Sequence, residues 1–175
     1  MASQPTLERP SPRGLYEAEA DYVWNSLRRL GIPEADLEDV CQEVFMAAFE
    51  RLERYDPSRA IRPWLFGIAF NLASHFHRQP RHAREVPGEL PEARDESRPP
   101  DEVASAAQAR KRLGSALDRI DLPRRAVVVM HEIDGLPIPE VAEALGIPVN
   151  TAYSRLRLAR AELAQSVREL AGGAP

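Results

Sequence analysis

Asn150, Ser154 and Arg157 recur at spacings of four and three within ALGIPVNTAYSRLRLARAEL, residues 144–163. At about 100° per residue they share one helical face with Ala161, opposite an apolar stripe of Ala152, Leu156, Ala159 and Leu163. An arginine fork can address guanine bidentately, and an asparagine amide can do the same for adenine. Tyr153 and Arg160 flank this face on one side, Thr151 and Arg155 on the other. Arginines in flanking positions suit phosphates, and a residue as small as Ala161 allows close approach. No acid intervenes between Glu143 and Glu162, as a surface built for a polyanion requires. A charge run on a helix is ordinarily a solvated face, so the neighbouring elements must decide between the two readings.

A second candidate surface lies in IRPWLFGIAFNLASHFHRQPRHAR, residues 61–84, which also lacks any acid. Trp64, Asn71 and Arg78 are seven apart and form one stripe beside an apolar face of Ile61, Leu65, Ile68, Leu72 and Phe76. Phe66, Phe70 and His77 are expected on the far side, giving more aromatics than one core face needs. Rings interleaved with basic groups suit single-stranded nucleic acid, where bases stack and arginines track the backbone. Taken singly, each aromatic is better read as core. The preceding helix has the opposite sign: Glu38, Asp39, Gln42, Glu43, Glu50 and Glu53 point outward. That face would repel DNA and suits either water or a basic protein surface.

Enzyme chemistry finds little support. The histidines stand at 75, 77, 82 and 131; the first two, two residues apart on a helix, point different ways. No HExxH, P-loop or Gly-x-Ser-x-Gly occurs. The single cysteine, Cys41, excludes an internal disulfide and a cysteine-based zinc cage. No metal or other cofactor is expected.

These residues need helices to hold them. Residues 85–102, EVPGELPEARDESRPPDE, carry seven acids and four prolines with almost no large apolar side chain. This is the composition of a solvated, flexible linker, and it separates residues 14–84 from 103–172; residues 1–13 are expected to be disordered. The first segment predicts three helices. Tyr16, Ala20, Val23, Leu27 and Leu30 form one stripe; Leu37, Val40, Cys41, Val44, Ala48 and Leu52 form the next, with Asp36 as N-cap; the tryptophan helix, about 61–78, is the third. The second segment predicts four: about 103–119, one starting near Pro123, a short one over Ile138–Leu145 closed by Gly146, and the helix of the opening stretch. A short helix, a glycine turn and a second helix make a helix-turn-helix, whose second helix enters the major groove. The fold class is therefore all-α, as two small helical domains. Each is small enough to need a compact core of its own or a partner to lean on.

Bulk properties agree. The chain has 175 residues, is 43% hydrophobic and carries a net charge of −4, so its basic surfaces are local exceptions. No apolar run reaches the ~20 residues of a bilayer span. The start, MASQPTLERPSPRG, lacks the basic and apolar regions of a signal peptide. A cytoplasmic protein without membrane insertion is expected.

The stretches DLEDVCQEVFMAAFERLERYDPSRAIRPWLFGIAFNLA and LPRRAVVVMHEIDGLPIPEVAEALGIPVNTAYSRLRLARAEL, in this order, resemble a bacterial extracytoplasmic-function (ECF) RNA polymerase sigma factor of the sigma-70 family. They cover about half the chain. The resemblance implies that residues 14–84 are sigma region 2, with Asp39, Gln42 and Glu43 on the β′ clamp helices of core RNA polymerase. It places recognition and melting of the −10 element on Tyr55 to Arg62, Arg59 among them, with Trp64 and Asn71; Arg78 continues their stripe. Residues 103–172 would be sigma region 4, which reads the −35 element through the opening helix and touches the β flap. With no further regulatory domain expected after residue 172, an anti-sigma factor is the implied regulator. Tyr153, where the family usually has Arg or Lys, Leu158, Asn150, His75 and Pro137 depart from the family pattern; the first three bear on promoter preference. The rival reading is a stand-alone helix-turn-helix regulator that binds duplex DNA without polymerase. It would need neither the acidic helix nor the aromatic-basic one.

Overall fold

The computed structural model describes residues 9–79 and 100–172. Residues 85–99 of the expected linker, residues 1–8 of the expected disordered start, and Arg81, His82 and Arg84 lie outside the described residues. The described residues form seven α-helices and no strand: α1 (Pro12–Arg29), α2 (Leu37–Arg51), α3 (Ile61–Arg78), α4 (Pro100–Leu117), α5 (Leu122–Val128), α6 (Ile138–Ala144) and α7 (Val149–Gly172). None is long and apolar enough to cross a membrane.

Local chemistry explains the boundaries. Ser11 caps α1 by accepting from the Gly14 amide at 3.1 Å, and Pro12 occupies the first turn, where its missing N–H is not needed. Asp121 caps α5 through the Arg124 amide, with a proline again in the first turn. A single π-helical turn, Val129–Ile133, continues α5. Asp36 stands at the expected N-cap of α2 but makes no side-chain cap bond. Residues 34–36 already form a 3₁₀ turn, and Asp36 adopts φ −106°, ψ −7° rather than the extended backbone from which a capping side chain reaches forward.

Two further expectations shift. Tyr16 is 49% exposed, and Leu15 takes its place in the core. In the first turns of α1, Tyr16 sits at the edge of α2, meeting Phe45 edge-on with ring centroids 4.9 Å apart. Phe66, expected on a far side of α3, is fully buried. α3 packs against α1 and α2 and also against α6, so it has more than one covered side.

That last contact joins the two halves. α1–α3 and α4–α7 share one continuous apolar core, running from Leu27, Val44 and Leu65 to Val127, Met130 and Leu156. Each half thus leans on the other, which relieves the marginal burial of a small helical unit. At this joint Arg125, 7% exposed, donates to the Ile120 carbonyl and to Asp118 Oδ1 at 3.0 Å. Burial lowers the Arg125 pKa and raises that of Asp118. The pairing recovers only part of the cost of desolvating the two charges, since burial leads in both shifts.

Candidate nucleic-acid interface

The helix-turn-helix is built by a tight stop. At the end of α6, Gly146 takes φ 63°, the left-handed region that costs glycine no Cβ clash. Its amide bonds the Glu143 carbonyl at 3.1 Å, and the Ile147 amide bonds that of Ala142 at 2.9 Å, closing the last carbonyls in a Schellman motif. Ile147 and Pro148 then lead directly into α7. Ala152, Leu156 and Ala159 are buried against the preceding helices, at 0%, 5% and 0% exposure. The opposite face, Asn150, Ser154, Arg157 and Ala161, is exposed. Tyr153 is 54% exposed; Thr151 and Arg155 are half-buried on the other flank. Arg160 donates Nε to Glu132 at 2.6 Å, and Glu162, the acid that ends the basic run, pairs with Arg124 of α5. These acids orient the rim and leave the Asn150–Ser154–Arg157 row open to water.

The second surface combines the 55–60 loop with α3. Tyr55 is 6% exposed. Its ring lies 5.0 Å from that of half-buried Trp64, and its hydroxyl donates to the Arg59 carbonyl. Burial raises the Tyr55 pKa, with a smaller contribution from neighbouring Asp56. Tyr55 therefore shapes the loop from beneath and props Trp64. Asp56 accepts from the Ser58 amide at 3.0 Å and hydroxyl at 2.7 Å; these bonds hold its carboxyl below the usual range. Arg62 donates Nε to Glu19 at 2.8 Å, with its guanidinium 5.0 Å from the Tyr22 ring centre. Asn71 is exposed, and exposed Arg78 bonds back to the Ser74 carbonyl at 3.0 Å. Tyr55, Arg59, Trp64 and Asn71 line one open groove of about 850 Å³. Arg62 and Arg78 are not among its lining residues.

The groove also takes charged residues that were not sequence candidates for it. Arg51 and Arg54 add positive charge from the end of α2, while Glu140 and Glu143 enter from α6. One sequence signal could have found this contact: Gly67 stands in the middle of α3, where a glycine weakens the helix unless packing requires it. A Cβ at Gly67 would lie 2.5 Å from the Ala144 carbonyl oxygen of α6.

The third surface is the acidic face of α2. Asp39, Gln42 and Glu43 are all exposed, over buried Val40, Cys41 and Val44. Burial raises the pKa of Cys41 and leaves it a core residue rather than a nucleophile. Among the described residues no group of three or more His, Cys, Asp or Glu is arranged to hold a metal ion.

With this geometry in place, comparison with known proteins is specific. Residues 15–83 match the family described as Sigma-70 region 2, and residues 110–163 match Sigma-70, region 4. The RNA polymerase sigma factor CnrH of Cupriavidus metallidurans is 37% identical over 145 residues, covering 78% of this chain and 75% of CnrH. A solved structure of CnrH in complex with the cytosolic domain of CnrY superposes with a TM-score of 0.61 at 31% identity, covering 93% of this chain and 89% of that one. The ECF RNA polymerase sigma factor SigL of Mycobacterium tuberculosis is 33% identical over 159 residues, covering 90% of this chain and 89% of SigL. The sigma factor RpoE from Bartonella quintana, solved in complex with the anti-sigma factor NepR, has a TM-score of 0.66 at 18% identity, covering 87% of this chain and 96% of that one; it speaks to the fold.

Proposed function

The chain belongs to the ECF sigma factors of the sigma-70 family, which bind RNA polymerase and direct it to promoters, and from that premise we propose how its three surfaces divide the work. Asp39, Gln42 and Glu43 dock the β′ clamp helices of core polymerase through charge-assisted contacts. Asn150, Ser154 and Arg157 read base edges of the −35 duplex, with Thr151, Tyr153, Arg155 and Arg160 along its backbone. Trp64 and Asn71 hold the opened −10 strand, and Arg59, Arg62 and Arg78 follow its phosphates. Tyr55 acts from below by positioning Trp64. The α4–α7 half also touches the β flap. The protein works in the cytoplasm and is held in check by an anti-sigma factor, a partnership of the kind in which RpoE was solved.

The observation that carries this reading is the segregation of charge. One exposed helix face, on α2, presents acids, while two separate faces present arginine with asparagine. A protein that only bound duplex DNA would have no use for the first. The test is core binding by Glu43→Lys. Reversing one charge at a docking face is expected to weaken affinity for core polymerase by about 1–3 kcal/mol and to reduce run-off transcription in proportion. Unchanged core affinity in a folded variant removes the assignment. Tight sequence-specific duplex binding by the isolated chain at physiological salt replaces it with the stand-alone regulator.

A further inference from the structure

We propose that Val149 and Tyr153 form an apolar spot on α7 that reads the 5-methyl group of a thymine in the −35 duplex. The inference rests on the assignment of α7 to that duplex and adds a base to what the helix recognises.

Two exposed apolar side chains carry it. Val149 opens α7 and is 41% exposed; Tyr153, four residues on, is 54% exposed. Neither belongs to the shared core or to the half-buried apolar side chains packed against it. Both lie in the first turns of the second helix of a helix-turn-helix, the part that meets base edges. Val149, Tyr153 and Arg157 follow one another at four-residue steps, which makes a ridge along the helix, and exposed Asn150 and Ser154 stand on the adjoining ridge. The ridge is therefore apolar at its first two positions and cationic at its third. Leu158 and Val167, the other large apolar side chains that α7 exposes, are off this ridge.

The major groove offers such a ridge one apolar group. Every base pair presents hydrogen-bond donors and acceptors there, and thymine alone adds a methyl group, at C5. The side chain of Val149 has no donor or acceptor. A polar base edge pressed against it would lose its water without gaining a bond. A methyl group in the same place gains from burial, by about fourfold in affinity. The Tyr153 ring supplies the second wall, and its terminal hydroxyl is left for the backbone contact assigned above. Spacing fixes the register. Along the helix axis Tyr153 is about 6 Å from Arg157 and Val149 about 12 Å. At about 3.4 Å per base pair, the thymine falls within about four base pairs of the base that Arg157 addresses.

Uracil is thymine without the methyl group, so it provides the test. Holoenzyme is assembled from the full-length chain and core polymerase, on a promoter that it transcribes. Each −35 thymine, on either strand, is replaced in turn by uracil, and promoter affinity and run-off yield are measured. Wild type is expected to lose about fourfold in affinity at one thymine, within about four base pairs of the position whose preference Arg157→Ala relaxes. Tyr153→Ala and Val149→Ala bind more weakly than wild type but should bear a smaller uracil penalty at that thymine, whereas Tyr153→Phe, which keeps the ring, should retain the full penalty. A penalty caused by altered duplex stiffness would instead persist in both alanine variants, and that result overturns the inference. So does a wild type indifferent to uracil at every −35 thymine. If wild type fails to programme core polymerase, or Arg157→Ala leaves the −35 preference untouched, it is the proposed function of α7 that falls; if Arg157→Ala relaxes the preference and uracil changes nothing, only the thymine contact falls.

Discussion

Helices α3 and α7 each carry an acid-free run with arginines and an asparagine, yet they meet their surroundings in opposite ways. α7 buries one stripe, Ala152, Leu156 and Ala159, and turns Asn150, Ser154 and Arg157 to water. α3 packs against α1, α2 and α6, burying Phe66 and Gly67 as well as Leu65 and Ile68. The same composition therefore carries different weight in the two places. On a helix packed along one stripe, an outward aromatic such as Tyr153 is available to a ligand. On a helix packed on several sides, most aromatics are core, and what remains for a ligand is a groove shared with a neighbour.

The aromatics would break this contrast most sharply. Phe66→Ala is expected to destabilise the fold by about 3–5 kcal/mol, the range for emptying a buried aromatic site. Tyr153→Ala should leave stability within about 0.5 kcal/mol. Denaturant unfolding followed by circular dichroism measures both, and similar losses would erase the distinction between the helices.

Next in size are the polar residues that the two helices do expose. Arg157→Ala is expected to cost about 1–3 kcal/mol and to relax preference at one −35 position if it reads a base bidentately, with promoter melting intact once polymerase is bound. Asn71→Ala should leave the −35 preference unchanged and reduce the permanganate reactivity of unpaired thymines around −10. On a pre-melted template the Asn71 defect should shrink to whatever part is base reading rather than melting. A changed −35 preference in Asn71→Ala with normal melting would reverse the assignment of the two helices.

The smallest expected effect concerns how each helix is supported. α3 starts after Ala60 with no side-chain cap, whereas α5, which packs against α7, starts from Asp121. Asp121 accepts from the Arg124 amide at 3.0 Å and side chain at 2.6 Å, and the Arg124 side-chain bond leads in holding its carboxyl below the usual range. Removing the cap by Asp121→Ala should cost about 1 kcal/mol near pH 7. Because the folded pKa is depressed, the ionised carboxylate contributes fully above the ordinary aspartate value of about 4, and that contribution is lost as pH falls through the folded pKa. The stability gap between wild type and Asp121→Ala should therefore narrow in acid; a gap that widens would contradict this role.

The parts that were legible share a physical cause. Where a helix packs along one stripe, burial repeats with the helical period, so the inner and outer residues of α7 could be assigned by spacing. Glycine after α6 announced its stop because few other residues adopt a left-handed backbone cheaply. Tyr16 and Phe66 were misplaced because spacing assigns a face and cannot say how many neighbours cover it or where they end. Asp36 stands at the expected N-cap but makes no cap bond, because its backbone had already turned helical before α2 began.

From its sequence alone, then, this protein determined its all-helical class, its helix-turn-helix, the sign of charge on each exposed face and its family resemblance, all properties that repeat or cluster locally along the chain. Only the tertiary structure decided that Tyr55 lies beneath Trp64, that Glu140 and Glu143 enter the groove of α3, and that Gly67 touches Ala144. The first depends on how the 55–60 loop folds back on α3; the other two depend on which distant surfaces meet, and groups about 70 residues apart leave no periodic trace of their meeting in the sequence.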